Sequence, residues 1–179
     1  GRLVPWAGPY LEYESPEAGA IYVIGVDPAG YAARDHAAFQ VLKIYDGEWT
    51  QVACYAGHTE PLTFSKKVNE IARRYNNAMV AVESNGVGVA VLALLDELGC
   101  KNIFYEKAYK PGITATSKSV DQMLSWLQEA LKDELVLHDA DTVGQLTSYK
   151  HDKRVEQSAS VEILHGKGAG HKRRERHHW

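Results

Sequence analysis

Residues 21–30 read IYVIGVDPAG. The run 21–26 is short and almost wholly apolar, which predicts a strand buried on both faces. Asp27 stands at its end, and Pro28-Ala29-Gly30 predicts a turn. Downstream, 37–45 predicts a second strand, Asp46-Gly47 is a two-residue hairpin signal, and 49–55 predicts the antiparallel return. Residues 79–82, another short apolar run, predict a strand that ends at Glu83 as the first ends at Asp27.

Between and after these strands the apolar period changes to three and four residues. Leu62, Phe64, Val68, Ile71, Ala72 and Tyr75 predict one helix. Val91, Leu94, Leu95 and Leu98 predict a second over 87–98, with Gly99 as its C-terminal stop. Val120, Met123, Leu124, Leu127 and Leu131 predict a third over 116–132. Short strands are expected at 103–105, 135–137, 155–157 and 161–164, and Asp139 is expected to cap a short helix carrying Val143 and Leu146. Three antiparallel strands followed by alternating helices and strands define an α/β domain, a central mixed sheet of at least five strands flanked by helices. Pro5, Pro9 and Pro16 with Gly8 and Gly19 predict that residues 1–18 are an arm or linker and that the domain occupies 19–179.

With 45% hydrophobic residues in 179, the chain can fill a core, since a domain of this length buries roughly 70% of its unfolded surface. No run reaches the ~18 apolar residues of a membrane span, and the N-terminus lacks a signal-peptide pattern. Cys54 and Cys100 fit neither a metal motif nor a disulfide framework, which points to a reduced, cytoplasmic setting. No G-x-x-x-x-G-K-[ST] loop is present, which excludes an ATPase motor in this chain, and no G-x-G-x-x-G follows the first strand. The net charge of −3 does not suggest nucleic acid. Its distribution does: Lys167, Lys172, Arg173, Arg174 and Arg176 face a single Glu175, with His171, His177 and His178 interspersed. A solvated tail is the competing reading.

Asp27 and Glu83 each follow a buried strand, where ligands bind in α/β sheets, and each precedes a glycine-containing turn. Capping or turn closure explains either alone; the two together favour a shared site. Clustered carboxylates raise one another's pKa unless a cation neutralises them, and hard oxygen donors suit Mg²⁺ or Mn²⁺. Two such ions ~4 Å apart would serve phosphodiester hydrolysis. Asp35 is a third candidate ligand, against a plain surface loop. Lys118, on the first turn of the third helix, is a candidate phosphate contact. Ser84 and Asn85 either hydrogen-bond near the metals or form an ordinary Asx turn.

IGVDPAG with Asp35-His36 resembles the first strand and hairpin of the nuclease domain of tailed-phage terminase large subunits. AVESNGVGVAVLALL resembles their second acidic motif and its helix. LVLHDADTVGQLTSY resembles the strand and helix before their final hairpin, and GKGAGHKRRERHH the approach to their last acidic motif. The ordered match covers about residues 19–179. The resemblance implies an RNase H-like fold, divalent metal, and cutting of double-stranded concatemeric viral DNA during packaging, with little sequence specificity. It carries Asp27 and Glu83 onto the first and second metal-binding acids. It also implies an upstream ATPase domain, a portal ring and a small terminase subunit as partners, in the cytoplasm of an infected bacterium. Lys150, Lys153, Arg154 and the 167–176 segment would then hold the phosphate backbone.

The family's third acid follows its His-rich stretch, and this chain ends at Trp179 before it. Either the domain is cut short before its final helix or another group, such as His178, replaces that acid. Asp139 and Asp141 match the capping segment instead. A non-catalytic module that docks DNA or a portal, and another RNase H-like nuclease such as a junction resolvase, are the rival readings.

Overall fold

The computed structural model describes residues 2–3, 10–29 and 36–148. The strands expected at 21–26, 37–45, 49–55 and 79–82 are present, while of the strand expected at 103–105 only a bridge from Ile103 to Val80 forms before Tyr105. β3 (Ile21–Asp27), β4 (Ala37–Tyr45) and β5 (Glu48–Gly57) form an antiparallel meander. Asp46 and Gly47 make its tight turn, both at positive φ (49° and 82°), the backbone that a two-residue hairpin requires. α1 (Pro61–Arg74) then returns the chain so that β6 (Met79–Val82) lies parallel to β3. α2 (Val87–Glu97) follows directly.

Residues 1–18, expected to be an arm, instead supply two strands to the sheet. β1 (Arg2–Leu3) pairs β2 (Tyr10–Glu12), and β2 pairs β5 antiparallel. After α2 comes a hairpin that the sequence did not announce, β7 (Tyr105–Lys107) and β8 (Lys110–Pro111). α3 (Ser117–Asp133) begins at a capping box in which Thr116 and Ser119 satisfy each other's backbone. β9 (Leu135–Val136) runs parallel to β5, on the edge of β5 that also carries β2. The main sheet is therefore mixed, ordered β1-β2-β5-β4-β3-β6 with β9 beside β5.

This strand-and-helix body forms one compact unit that ends at His138. In the segment beyond it, residues 140–148 are helical. Asp139 caps them as expected, accepting hydrogen bonds from the Thr142 N–H (2.8 Å) and hydroxyl (2.6 Å). The strands expected at 155–157 and 161–164 lie outside the described residues.

One face of the sheet holds the core. Tyr22, Ile24, Val26, Phe39, Val41, Val80 and Val82 pack there with Phe64, Val68 and Ile71 of α1 and Val91 and Leu95 of α2. β3 is thus buried on one face, not two: Tyr22, Ile24 and Val26 are covered, while Ile21, Gly25 and Asp27 are exposed. Among the described residues the second face is only partly closed. The apolar stripe of α3 is half-buried at Val120, Met123, Leu124 and Leu127 and open at Leu131, and Leu62 of α1 also faces solvent.

β2 is held by a buried acid. Glu12 accepts from Arg74 of α1 through Nη2 (2.8 Å) and Nε (3.1 Å), and from the hydroxyls of Ser15 and Tyr10. Burial pushes the Glu12 carboxyl up, but Arg74 and the hydroxyl donors outweigh it and hold the group below the ordinary carboxylate range. A group with a lowered pKa stabilises the fold above its unfolded pKa and loses that contribution as pH falls through the folded value. Arg74→Ala should therefore destabilise the protein by about 1–3 kcal/mol in urea unfolding at neutral pH, since Glu12 keeps only its hydroxyl donors. The gap to wild type should narrow on acidification below pH ~4, where the carboxyl protonates in both proteins.

Candidate metal and nuclease site

Register places the two acids. β3 and β6 run parallel with Gly25 opposite Ala81 and Val26 opposite Val82, and the Glu83 N–H donates to the Val26 carbonyl at 2.9 Å. Side chains alternate across a sheet. With Val26 and Val82 directed into the core, Asp27 and Glu83 fall on the other face, at the same end. Both line a cavity of about 370 Å³ whose floor is Gly25, Ala38, Gln40 and Ala81 and whose wall is Ile113, Ala115, Val120 and Met123. Small residues on three adjacent strands leave the space open under α3.

The electrostatics agree with this proximity. Burial pushes the Glu83 carboxyl above the ordinary carboxylate range, and the charge of Asp27 pushes it further. Two mutually repelling carboxylates offer hard oxygen donors of the kind that Mg²⁺ and Mn²⁺ take. Among the described residues no group of three or more His, Cys, Asp or Glu converges. Asp35 and His178, the other expected ligands, lie outside the described residues, as do Lys150, Lys153, Arg154, Lys167, Lys172, Arg173, Arg174 and Arg176. Lys118 is exposed in the first turn of α3.

Several positioning residues emerge only in three dimensions. The chain at 112–113 runs beside Glu83: the Ile113 N–H donates to the Val82 carbonyl and the Ser84 N–H to the Ile113 carbonyl, each at 2.8 Å. Ser84 Oγ and Asn85 Nδ2 donate to the carbonyls of Ile113 and Ala115, so both side chains bind the wall of the cavity. Gly88, in the first turn of α2, has no room for a side chain, because a Cβ there would lie 1.8 Å from the Glu83 carbonyl oxygen. Gly112 has φ +80°, and its Cβ would meet the Val82 carbonyl at 2.6 Å. The GVG spacing at 86–88 was the available signal for the first, and Pro111-Gly112 for the second. At the same end of the sheet, the rings of His36 and His58 lie 4.2 Å apart between centroids, tilted by 47°.

Neither a protein-family model nor a curated protein sequence matches this chain. Solved structures do. The large terminase nuclease from thermophilic phage G20c is 23% identical over 79% of this chain and 72% of its own, with a TM-score of 0.63. The large terminase nuclease domain of Thermus phage P74-26 is 21% identical over 80% and 70%, with a TM-score of 0.60. The g2p large terminase nuclease domain of bacteriophage SPP1, with bound Mn, is 19% identical over 70% and 66%, with a TM-score of 0.51. The G20c nuclease has also been solved with magnesium, zinc and cobalt. This chain has the RNase H-like α/β fold of the large-terminase nucleases.

Two stability measurements test the geometry without any assumption about catalysis. A carboxyl with a raised pKa contributes stability that is present below its unfolded pKa and lost as pH rises through the folded value. Metal-free Glu83→Gln should therefore melt above wild type at neutral pH, and the difference should shrink on acidification. Gly88→Ala should lose about 1–3 kcal/mol, read by denaturant unfolding, as α2 shifts from the Glu83 carbonyl.

Proposed function

We propose that this chain is the nuclease domain of a phage packaging terminase, a divalent-metal-dependent endonuclease that cuts double-stranded DNA with little sequence preference. The observation that carries this reading is the convergence of Asp27 and Glu83 at the carboxyl ends of two parallel strands, on a fold shared with terminase nucleases solved with divalent metals. Asp27 and Glu83 would hold Mg²⁺ or Mn²⁺, as a pair of ions once the remaining ligands join them. Metal bound there would acidify the attacking water and offset the charge that develops on the leaving oxygen.

The chain's own residues do the rest. Asp27 and Glu83 fix the position of attack, and their repulsion makes the site avid for a cation. The partly open face of the sheet gives the DNA backbone access. Lys118, Lys150, Lys153, Arg154 and the 167–176 segment supply phosphate contacts, which position a duplex without reading its sequence. An upstream ATPase domain, a portal ring, a small terminase subunit and the cytoplasm of an infected bacterium complete this setting. Asp35 and His178 are the proposed additional ligands.

The test is cleavage of plasmid and linear duplex in Mg²⁺ or Mn²⁺, with chelator as control. Asp27→Asn and Glu83→Gln should each lower the cutting rate by at least about tenfold, since even loss of a group supporting a ligand costs ~10–100-fold. Both variants should keep the wild-type fold by circular dichroism. Duplex binding without cutting in either metal, by a protein that continues past Trp179, would overturn the nuclease reading and leave a DNA-docking module.

A further inference from the structure

The strand beside β6 is interrupted. It enters along β6, with the Val80 N–H donating to the Asn102 carbonyl and the Phe104 N–H to the Val80 carbonyl. It then leaves the sheet as the β7–β8 hairpin and returns at Gly112, whose N–H donates to the Phe104 carbonyl at 2.8 Å. One residue later, Ile113 bridges Glu83. The base of the hairpin is thus pinned to the strand that carries the second acid.

Among the described residues nothing covers the rest of the hairpin. Residues 105–110 are all exposed, and Tyr109, at the tip, is 98% exposed with φ +69°. A groove of about 460 Å³ separates Tyr105, Lys110 and Pro111 from Val89, Leu92 and Ala93 of α2. Lys110 lies 3.7 Å from Glu106, a loose and half-exposed pair. Lys101 and Lys107 are exposed. In a chain of net charge −3, residues 101–110 carry three lysines and one acid.

We propose that the 105–111 hairpin is a second duplex-DNA contact, in which Lys107 and Lys110 meet phosphates and Tyr109 lies against a sugar or base edge. The inference rests on the nuclease reading above. Charge complementarity selects DNA over a protein surface, because the hairpin offers the ammonium groups of Lys107 and Lys110 beside the exposed rings of Tyr105 and Tyr109. Its reach fits as well. Three to four residues at ~3.3 Å each put the tip about 10–13 Å from Ile113. That span is roughly three to four base-pair rises along the duplex from a phosphate held at Glu83.

The experiment is a salt titration of fluorescent-duplex binding in Ca²⁺, which fills oxygen-ligand sites, together with cutting in Mg²⁺. Tyr109→Ala should weaken binding roughly tenfold, as expected for loss of an aromatic contact, and Tyr109→Trp should restore it. Lys107→Ala/Lys110→Ala should lower the log–log salt slope by about two. In both cases KM for DNA should rise while kcat holds. Unchanged affinity and slope, in a protein whose wild type binds and cuts, would overturn the hairpin contact and leave the nuclease reading standing. A wild type that neither binds nor cuts duplex would overturn that reading and the hairpin contact with it.

Discussion

The parallel pairing of β3 with β6 is the constraint on which the site depends. The ladder pairs Val23 with Met79 through Val26 with Val82, and the Glu83 N–H extends it by one bond to the Val26 carbonyl. A shift of one residue would turn every side chain of β6 to the opposite face, sending Glu83 toward the core and Val80 and Val82 toward solvent. The burial of Val80 and Val82 therefore holds the acid in place as firmly as any polar contact. Hydrophobic packing under α1 and α2 positions the carboxylates on the far side of the sheet.

That arrangement costs the fold something. Two like charges are held at one end of a sheet whose second face lacks full cover, and the wall beside them is made by a chain segment that must approach closely. Gly88 and Gly112 permit that approach, since a Cβ at either would collide with backbone oxygen of the Val82–Glu83 strand end. Ser84 and Asn85 then spend their side chains on the carbonyls of Ile113 and Ala115. The polar residues next to Glu83 serve as struts that hold the wall of the cavity.

Much of this was legible in the sequence because it is local. The apolar runs before Asp27 and Glu83, the Asp46-Gly47 turn, the stripes of α1, α2 and α3 and the Asp139 cap all signal through neighbours within a few residues. What escaped is non-local. β1 and β2 are two and three residues long, too short for periodicity, and prolines flank them. Their place is set by β5 and by an ion pair from Glu12 to Arg74, 62 residues away. The β7–β8 hairpin has an exposed sequence with no alternation and takes its shape from the strand it interrupts. Burial of β3 on both faces was overestimated because an apolar run does not reveal how closely a later helix will approach. The site was half visible: two acids by position, their supports only by contact.

The interrupted strand has a consequence for how copies of this protein behave beside one another. A sheet edge with a long unpaired row of N–H and C=O groups is a template for another chain. Here one end of the described sheet order is a two-residue strand, and beyond β6 at the other end the adjoining segment is broken by the hairpin after a few residues. β5 offers no vacant flank there either, since β2 and β9 divide one side and β4 takes the other. Among the described residues strand addition finds no long straight border to extend. The detour that breaks the border is one of the ways a sheet blunts an edge by shape, with no charge needed.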